Sequence, residues 1–496
     1  MAAERLAETC DVIETRGSLR ILGVPLQEDK SLSISGCKRF VFGRESNKSN
    51  YTMMVVGGTG AGKSSLINSL FNYISAVEWN HPFRFKIVVE DQSSSQVDSQ
   101  TSEVVIYQIN PRDGFRINYP LTVIDTPGYG DSRGLLRDKE TTDQIRRLFT
   151  EACGVSEVHA ICFVAQSSLV RLTPSQKYIF DSLLSIFGKD VAENIRILVT
   201  FADGTDCFVL DAIKAAQIPC SKSEDGHVLY FEFNNAAMFT AIKSKDKGFG
   251  FMFWELGLKN MDLLLDNLTR TNPKSLTLSV EVLKERRHLE YLVEELQKQV
   301  KTGLQKLEEI KNTEEELKDK EAEINRNKDY EIPVSYTEVK EELPEPGYYI
   351  TNCQDCHYTC HATCQIADDQ KKHGCVAMKS DGTCNVCPKK CHWTKHFNQK
   401  YKWVYVTVTK KQTMEDLKKK YLDASQAKAP VEMLMDKLRQ EYNQQEQQVN
   451  DIVKQATSAL NRLKQIALKP TGLSTLEYID LLIQSEKNEH KPGWNK

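Results

Sequence analysis

Val55-Val56-Gly57-Gly58-Thr59-Gly60-Ala61-Gly62-Lys63-Ser64-Ser65-Leu66-Ile67-Asn68-Ser69-Leu70 is the stretch whose reading decides the fold. Gly57 to Ser64 fits G-x-x-x-x-G-K-[ST]. The apolar run Met53-Met54-Val55-Val56 ahead of it predicts a buried strand, and Ser65 to Leu70 behind it predicts a helix. That strand–turn–helix context gives the motif a mechanism. Glycines let successive backbone N–H groups converge on phosphate oxygens, and a helix N-terminus adds its positive end. Every residue from Gly57 to Ser65 therefore belongs to the expected cradle, with Lys63 reaching the outer phosphates and Ser64 reaching magnesium.

The bulk of the chain is unremarkable beside this. Its 496 residues suggest about three domains on length alone. Lys and Arg number 65 against 68 Asp and Glu, so no basic excess argues for nucleic acid. The polar, acidic N-terminal stretch has no apolar signal core, Ala2 excludes myristoylation, and no run reaches membrane-spanning length. A cytoplasmic location is expected, and the fourteen cysteines are then thiols or metal ligands rather than disulfides.

Residues 1–50 read as a mixed lead-in with a strand at Arg39-Phe40-Val41-Phe42. From Tyr51 to Thr271 strand-like and helical runs alternate, the pattern of an α/β domain with a largely parallel sheet flanked by helices. Strands are expected at 51–57, 103–109, 120–125, 157–165, 194–200 and 228–233. Helices are expected at 63–75, 138–152, 174–187, 207–216 and 251–270. Residues 272–330 read as a long helix with a stripe at Leu289, Leu292, Leu296, Val300, Leu304, Leu307 and Ile310, weakened at Gly303. A compact insert occupies 331–411, with strands at Pro346–Ile350 and Lys402–Val408. A heptad helix fills 412–469, with its seam running from Val431 through Met435, Leu438, Tyr442 and Gln445 to Ile466. The simplest geometry is two antiparallel helices with the insert at their far tip. A short helix is expected within 470–496, opened by Ser474 and Glu477.

A phosphate loop alone leaves ATPase, kinase and GTPase open. Leu121-Thr122-Val123-Ile124-Asp125-Thr126-Pro127-Gly128 narrows the choice. An apolar strand delivers Asp125 to the metal, and the Gly128 N–H is placed to sense a γ-phosphate. Asp-Thr-Pro-Gly after a phosphate loop points to GTP. Thr101 is the candidate switch threonine for magnesium, with Ser95 and Ser102 as rivals. Guanine needs a carboxylate that accepts from N1–H and N2–H₂. Asp203 stands where one belongs, after the strand Ile195–Val199, with a plain turn aspartate as the alternative. Asn234 and Asn235 follow the next strand.

These motifs resemble the septin-like and immunity-associated (AIG-type) GTPases of the P-loop superclass, over about Tyr51 to Thr271. GxTGxGKSSxxNxL is present at Gly57–Leu70, Asp-Thr-Pro-Gly at Asp125, and Phe-Asn-Asn at Phe233–Asn235. The resemblance implies GTP or GDP with magnesium on Lys63 and Ser64, guanine on Asp203, and Asn234 or Asn235 near the base. It also implies pairing of G domains across the nucleotide face. One departure concerns Thr200-Phe201-Ala202-Asp203, which lacks the lysine that packs over loop and base. Another is Tyr129, standing where a water-orienting glutamine would follow the switch glycine, so intrinsic turnover is expected to be slow. Arg133 and Arg137 are candidates for the missing charge, against a reading as solvated loop residues.

Eight cysteines lie between Cys353 and Cys391, with five of the ten histidines. The C-x-x-C pairs Cys353/Cys356 and Cys384/Cys387 suit tetrahedral zinc. Cys360, Cys364, Cys375 and Cys391 are the remaining candidate ligands. A redox cluster and an iron–sulfur site are the alternatives. Two function classes remain: a GTPase switch, active as a homodimer through the G domain or the coiled coil, and a nucleotide-bound scaffold with little hydrolysis.

Overall fold

Tyr51–Gly57, Leu121–Asp125 and Ile195–Thr200 are almost wholly buried runs, as strands covered on both faces must be. A computed structural model describes residues 2–31, 34–88, 102–130, 135–151, 153–169, 174–205, 207–215, 218–222, 225–239, 248–324, 331–343, 349–364, 366–379, 381–413 and 430–470. It divides into two units, residues up to Lys284 with Leu463 onward, and Glu285–Arg462.

In the first unit α1 (Ala2–Ala7), β1 (Asp11–Arg16), β2 (Leu19–Gly23), β3 (Gln27–Glu28) and β4 (Cys37–Phe42) precede β5 (Tyr51–Gly57) and α2 (Lys63–Ile74). Next come β6 (Phe83–Lys86), β7 (Val104–Ile109), β8 (Leu121–Asp125), α3 (Leu135–Thr150), β9 (Glu157–Val158) and β10 (Ala160–Gln166). The unit continues with α4 (Pro174–Leu184), β11 (Ile195–Thr200), α5 (Val209–Ala215), β12 (Tyr230–Glu232), α6 (Phe249–Arg270) and β13 (Lys274–Ser275). The main sheet has eight strands in the order β12-β11-β10-β5-β8-β7-β4-β3. β12, β11, β10, β5 and β8 run parallel, β7 is antiparallel to β8, and β4 is parallel to β7. The fold is an α/β P-loop domain with a largely parallel sheet. Because β5 is flanked by β8 on one side and β10 on the other, its end is the switch point where such sheets take ligands.

The lead-in is not separate from this domain, which corrects the boundary set at Tyr51. Cys37–Phe42 pairs in register with Val104–Ile109, and Ala3 and Leu6 are buried in the same core as Phe42 and Phe71. The sequence hid this because β4 lies near the sheet edge, with Lys38 exposed and Arg39 half-buried among its apolar residues.

The second unit carries most of α7 (Thr277–Ile324), then β14 (Glu331–Glu342), β15 (Tyr349–Cys353), β16 (Tyr358–Cys364), β17 (His396–Gln399), β18 (Lys402–Thr413) and most of α8 (Pro430–Ile466). The two long helices pair antiparallel within one chain: Lys306 meets Glu441 at 2.8 Å, and Arg439 meets Glu314 at 2.8 Å. On α8 the heptad seam from Met435 to Ile466 is the covered face. On α7 the expected stripe is only partly covered. Val300, Leu304 and Leu307 are exposed, while Glu295 and Gln299 are buried. The reason is polar: the Tyr358 hydroxyl donates to Glu295 at 2.5 Å and accepts from Gln299 at 2.7 Å, turning that face inward.

The insert does not sit at the far tip of the helices. β14 and β18 pair along their full 12 residues, a strand that the expected insert boundaries concealed. Such a ribbon spans about 40 Å, the length of roughly 27 helical residues. It carries the cysteine cluster back along the helix pair to Tyr291, Leu292, Ile452 and Ala456. The expected segments Met414–Ala429, Pro346–Tyr348 and everything after Pro470 lie outside the described residues.

Gly303 faces Gln445, and a Cβ there would meet only its Cγ at 3.7 Å, an ordinary contact. Replacing a mid-helix glycine by alanine recovers up to about 1 kcal/mol. Gly303→Ala should therefore raise the urea midpoint of the helical unit, and a lowered midpoint would show that the helices need closer approach there.

Candidate functional site

The loop between β5 and α2 is shaped by two glycines in the left-handed region, Gly60 at φ 76° and Gly62 at φ 88°. Lys63 begins the helix and is buried, with Nζ donating to the carbonyls of Gly57 at 3.2 Å and Gly58 at 3.0 Å. Those bonds hold the ammonium over the loop. Across from it, β8 ends in Asp125, fully buried, with neither carboxylate oxygen hydrogen-bonded. Burial raises the Asp125 carboxyl to about 7 and lowers the Lys63 ammonium to about 8, each effect opposed by the other group's charge. The hard oxygens of Asp125 and the Ser64 hydroxyl at the head of α2 fit the oxygen preference of magnesium.

A second loop is strapped to the first. Thr126 Oγ1 donates to Val55 O at 2.8 Å, Thr59 N–H donates to Tyr129 O at 2.9 Å, and Tyr129 N–H donates to Gly57 O at 3.2 Å. A Cβ on Gly128 would stand 2.6 Å from Thr59 Cα and 2.7 Å from its nitrogen, so only glycine fits. The Tyr129 side chain is buried and shares a 2.7 Å hydrogen bond with Thr142. It is a core residue, turned away from the loop. Arg137 is held by Glu140 at 2.7 Å and by the Ser102 carbonyl. Thr101, Ser95 and Arg133 lie outside the described residues.

The base end is tied to the same loop. Thr200 Oγ1 donates to Ala61 O at 2.7 Å, and Gln166 Nε2 donates to Gly60 O at 3.0 Å. Phe201 has a left-handed backbone, φ 55°, and its ring edge lies 3.6 Å from where a Gly62 Cβ would stand. The aromatic ring thus packs over the loop where the resemblance implies a lysine. Asp203 is exposed, and its Oδ1 accepts from the Thr205 hydroxyl at 2.6 Å and N–H at 3.0 Å, which hold its carboxyl below the usual range. Asn234 donates to Ala202 O at 2.9 Å and accepts from Ala236 N–H, while Asn235 accepts from Ser69 of α2 at 2.7 Å. Both amides lock the base loops to each other and to α2. The sequence reading passed over Gln166 and the role of Asn68. Asn68 Oδ1 accepts from the Ile87 N–H at 2.8 Å and the Val88 N–H at 3.0 Å, anchoring the chain just after β6. The available signal was the asparagine at Asn68, between Ile67 and Ser69 on a helix that also buries Asn72.

In the insert, eight cysteines and two histidines converge in three groups: Cys353, Cys356, Cys387 and Cys391; Cys360, Cys384, Cys387 and His396; His361, Cys364 and Cys375. Within each group the donor atoms lie within 4.8 Å of one another, and all these cysteines are free thiols. The Val386 and Cys387 N–H groups point at Cys384 Sγ, and Cys391 N–H points at Cys387 Sγ at 3.2 Å. From the sequence His361 and His396 stand only among the five histidines of this stretch, with His357, His373 and His392, and not as ligands.

Residues 47–140 match the family model described as Septin. Septin-2A of Xenopus laevis is 40% identical over 82 residues, 16% of this chain and 20% of that protein. GTP-binding protein A of Dictyostelium discoideum is 25% identical over 151 residues, 30% of this chain and 28% of that protein. The chloroplastic translocase of chloroplast 34 homolog of Chlamydomonas reinhardtii is 26% identical over 164 residues, 32% of this chain and 36% of that protein. Among solved structures, Toc33 from Arabidopsis thaliana in complex with Mg2+ and GMPPNP aligns at 15% identity and TM-score 0.29, over 46% of this chain and 88% of that one. The chain thus spans between a fifth and about a third of the length of these curated relatives. It carries a septin-like P-loop GTPase domain.

Two substitutions test the strap. Tyr129→Phe removes one buried hydroxyl bond and should lower unfolding stability by about 1 kcal/mol while leaving bound nucleotide unchanged. Gly128→Ala forces Thr59 out of place and should reduce nucleotide retention at least tenfold in a desalting assay. Full retention in Gly128→Ala would show that the two loops separate freely.

Proposed function

We propose that this protein binds GTP with magnesium and hydrolyses it slowly, as a switch accelerated when two G domains meet. The observation that carries the reading is the buried Lys63–Asp125 pair at the end of β5 and β8. Two desolvated charges, one a carboxylate without a hydrogen bond, are costly in a folded chain unless a ligand engages them. A triphosphate supplies the anion that Lys63 and the Gly58–Ser65 N–H groups attract. Magnesium would be held by Ser64, Asp125 and Thr101, and it neutralises charge on the phosphates when bound. The Gly128 N–H reports the γ-phosphate through the strap to Thr59. Asp203 selects guanine through its carboxylate, and Phe201 offers the base an aromatic neighbour in place of a lysine stem.

Hydrolysis is slow because Tyr129 is committed to Thr142 and offers no amide to the attacking water. Arg133, from the same chain or a partner copy, would supply charge to the transition state, worth about 10³–10⁵ in rate. The insert holds structural zinc on its cysteines, and the paired helices mediate assembly as a coiled coil. We place the protein in the cytoplasm. Among the described residues no helix is long and apolar enough to cross a membrane. A second reading, a nucleotide-bound scaffold with little turnover, is favoured by the engagement of Arg137 with Glu140 and Ser102.

The test is the nucleotide that co-purifies with the full chain, followed by GTP turnover against protein concentration. Guanine nucleotide in the unmodified protein, lost at least tenfold in Lys63→Ala, is expected, with turnover rising faster than concentration. Retained guanine nucleotide without turnover would select the scaffold, and equal retention of adenine would remove Asp203 from its role.

A further inference from the structure

The cysteine groups are not independent. Cys387 belongs to two of them, so two sets of four donors share one sulfur. We propose that the insert binds three zinc-class ions per chain, two of them bridged by the Cys387 thiolate; this rests on the reading of the insert as a zinc site.

Sulfur spacing fits shared ions and excludes disulfides. Thiolates about 2.3 Å from a tetrahedral zinc stand roughly 3.8 Å apart. Cys356 and Cys391 are separated by 3.6 Å, and Cys364 and Cys375 by 3.8 Å. A disulfide would need about 2.05 Å. One four-donor set is all sulfur, and the other combines Cys360, Cys384 and Cys387 with His396. Seven side chains therefore complete two tetrahedra when one corner is held in common.

His396 supplies an independent observation. The residue is 1% exposed, Nδ1 lies 3.0 Å from the His392 carbonyl, and Nε2 has no hydrogen-bond partner. A backbone carbonyl that accepts a hydrogen bond from Nδ1–H fixes the tautomer with a lone pair on Nε2. That arrangement is typical of a metal-ligating imidazole. Leaving such a nitrogen buried and unpaired would otherwise cost free energy.

The third ion sits on His361, Cys364 and Cys375, with His361 Nδ1 3.3 Å from Cys375 Sγ. Lys372, fully buried, lies 3.6 Å from Cys364 Sγ and donates to Ile366 O and Asn398. Its charge offsets that of the thiolates. Three protein donors among the described residues leave one coordination position for water or a small ligand, the pattern of an open site.

The experiment is metal analysis of the full chain purified without chelator, followed by exchange of zinc for cobalt(II) and electron paramagnetic resonance. Three ions per chain are expected. Cobalt ions sharing a thiolate couple antiferromagnetically, so the low-temperature spin should integrate to about a third of the bound cobalt. His396→Gln should lower the count to two and restore full spin per cobalt. Three ions with full spin in the unmodified chain would overturn the bridge, and one or two ions would overturn the assignment while leaving the zinc reading intact. No metal at all would sink the zinc reading itself.

Discussion

Burying a lysine and an aspartate together at the ends of two central strands of one sheet is the constraint on which the first unit turns. Lys63 and Asp125 reach their places because β5 and β8 are adjacent parallel strands, in register from Tyr51–Leu121 to Val55–Asp125. The desolvation of both charges shows in the opposite directions of their shifts. Lys63 is bound to the Gly57 and Gly58 carbonyls, but the Asp125 oxygens lack the hydrogen bonds that would make the pair a stabilising feature of the fold alone. The surrounding contacts serve to hold the loops still. Thr126 binds Val55, Thr200 binds Ala61, Gln166 binds Gly60, and Thr59 binds Tyr129. Rigid positioning of this kind is what electrostatic preorganisation requires.

The second unit solves a different problem. Its insert has few large apolar side chains, and its buried cluster is dominated by cysteines: Cys353, Cys360, Cys364, Cys375, Cys384 and Cys387. A small domain of this composition needs a staple. The ribbon of β14 and β18 brings that cluster against α7 and α8. There Tyr358, Glu295 and Gln299 form a polar contact on the face of α7 beside its apolar stripe.

The phosphate loop, Asp125 and the parallel core were legible because local chemistry dictates them. Glycine spacing fixes the loop, and continuous apolar runs fix buried strands. The edge strand Cys37–Phe42 was legible as a strand yet not as part of the domain. Pairing with Val104–Ile109 is a contact across more than sixty residues, which periodicity does not encode. Tyr129 shows the same limit. Its position after Gly128 was plain in the sequence, but its burial against Thr142 is a product of α3 packing behind the loop. The left-handed turn that sets Phe201 over Gly62 was equally hidden.

The sequence by itself determined the chemistry available: a glycine-rich loop ending in Lys63-Ser64, an aspartate, Asp125, at the end of an apolar strand, and a concentration of thiols between Cys353 and Cys391. Only the tertiary structure decided which of these meet. Spacing along the chain allows either C-x-x-C pair to close its own site, whereas the fold sends Cys384 and Cys387 into shared company with Cys360 and His396. Likewise, the apolar stripe of α7 permitted several faces inward, and the hydroxyl of Tyr358 selected the one bearing Glu295. Donor identity is a local property of the chain, while partnership depends on distances that only packing fixes.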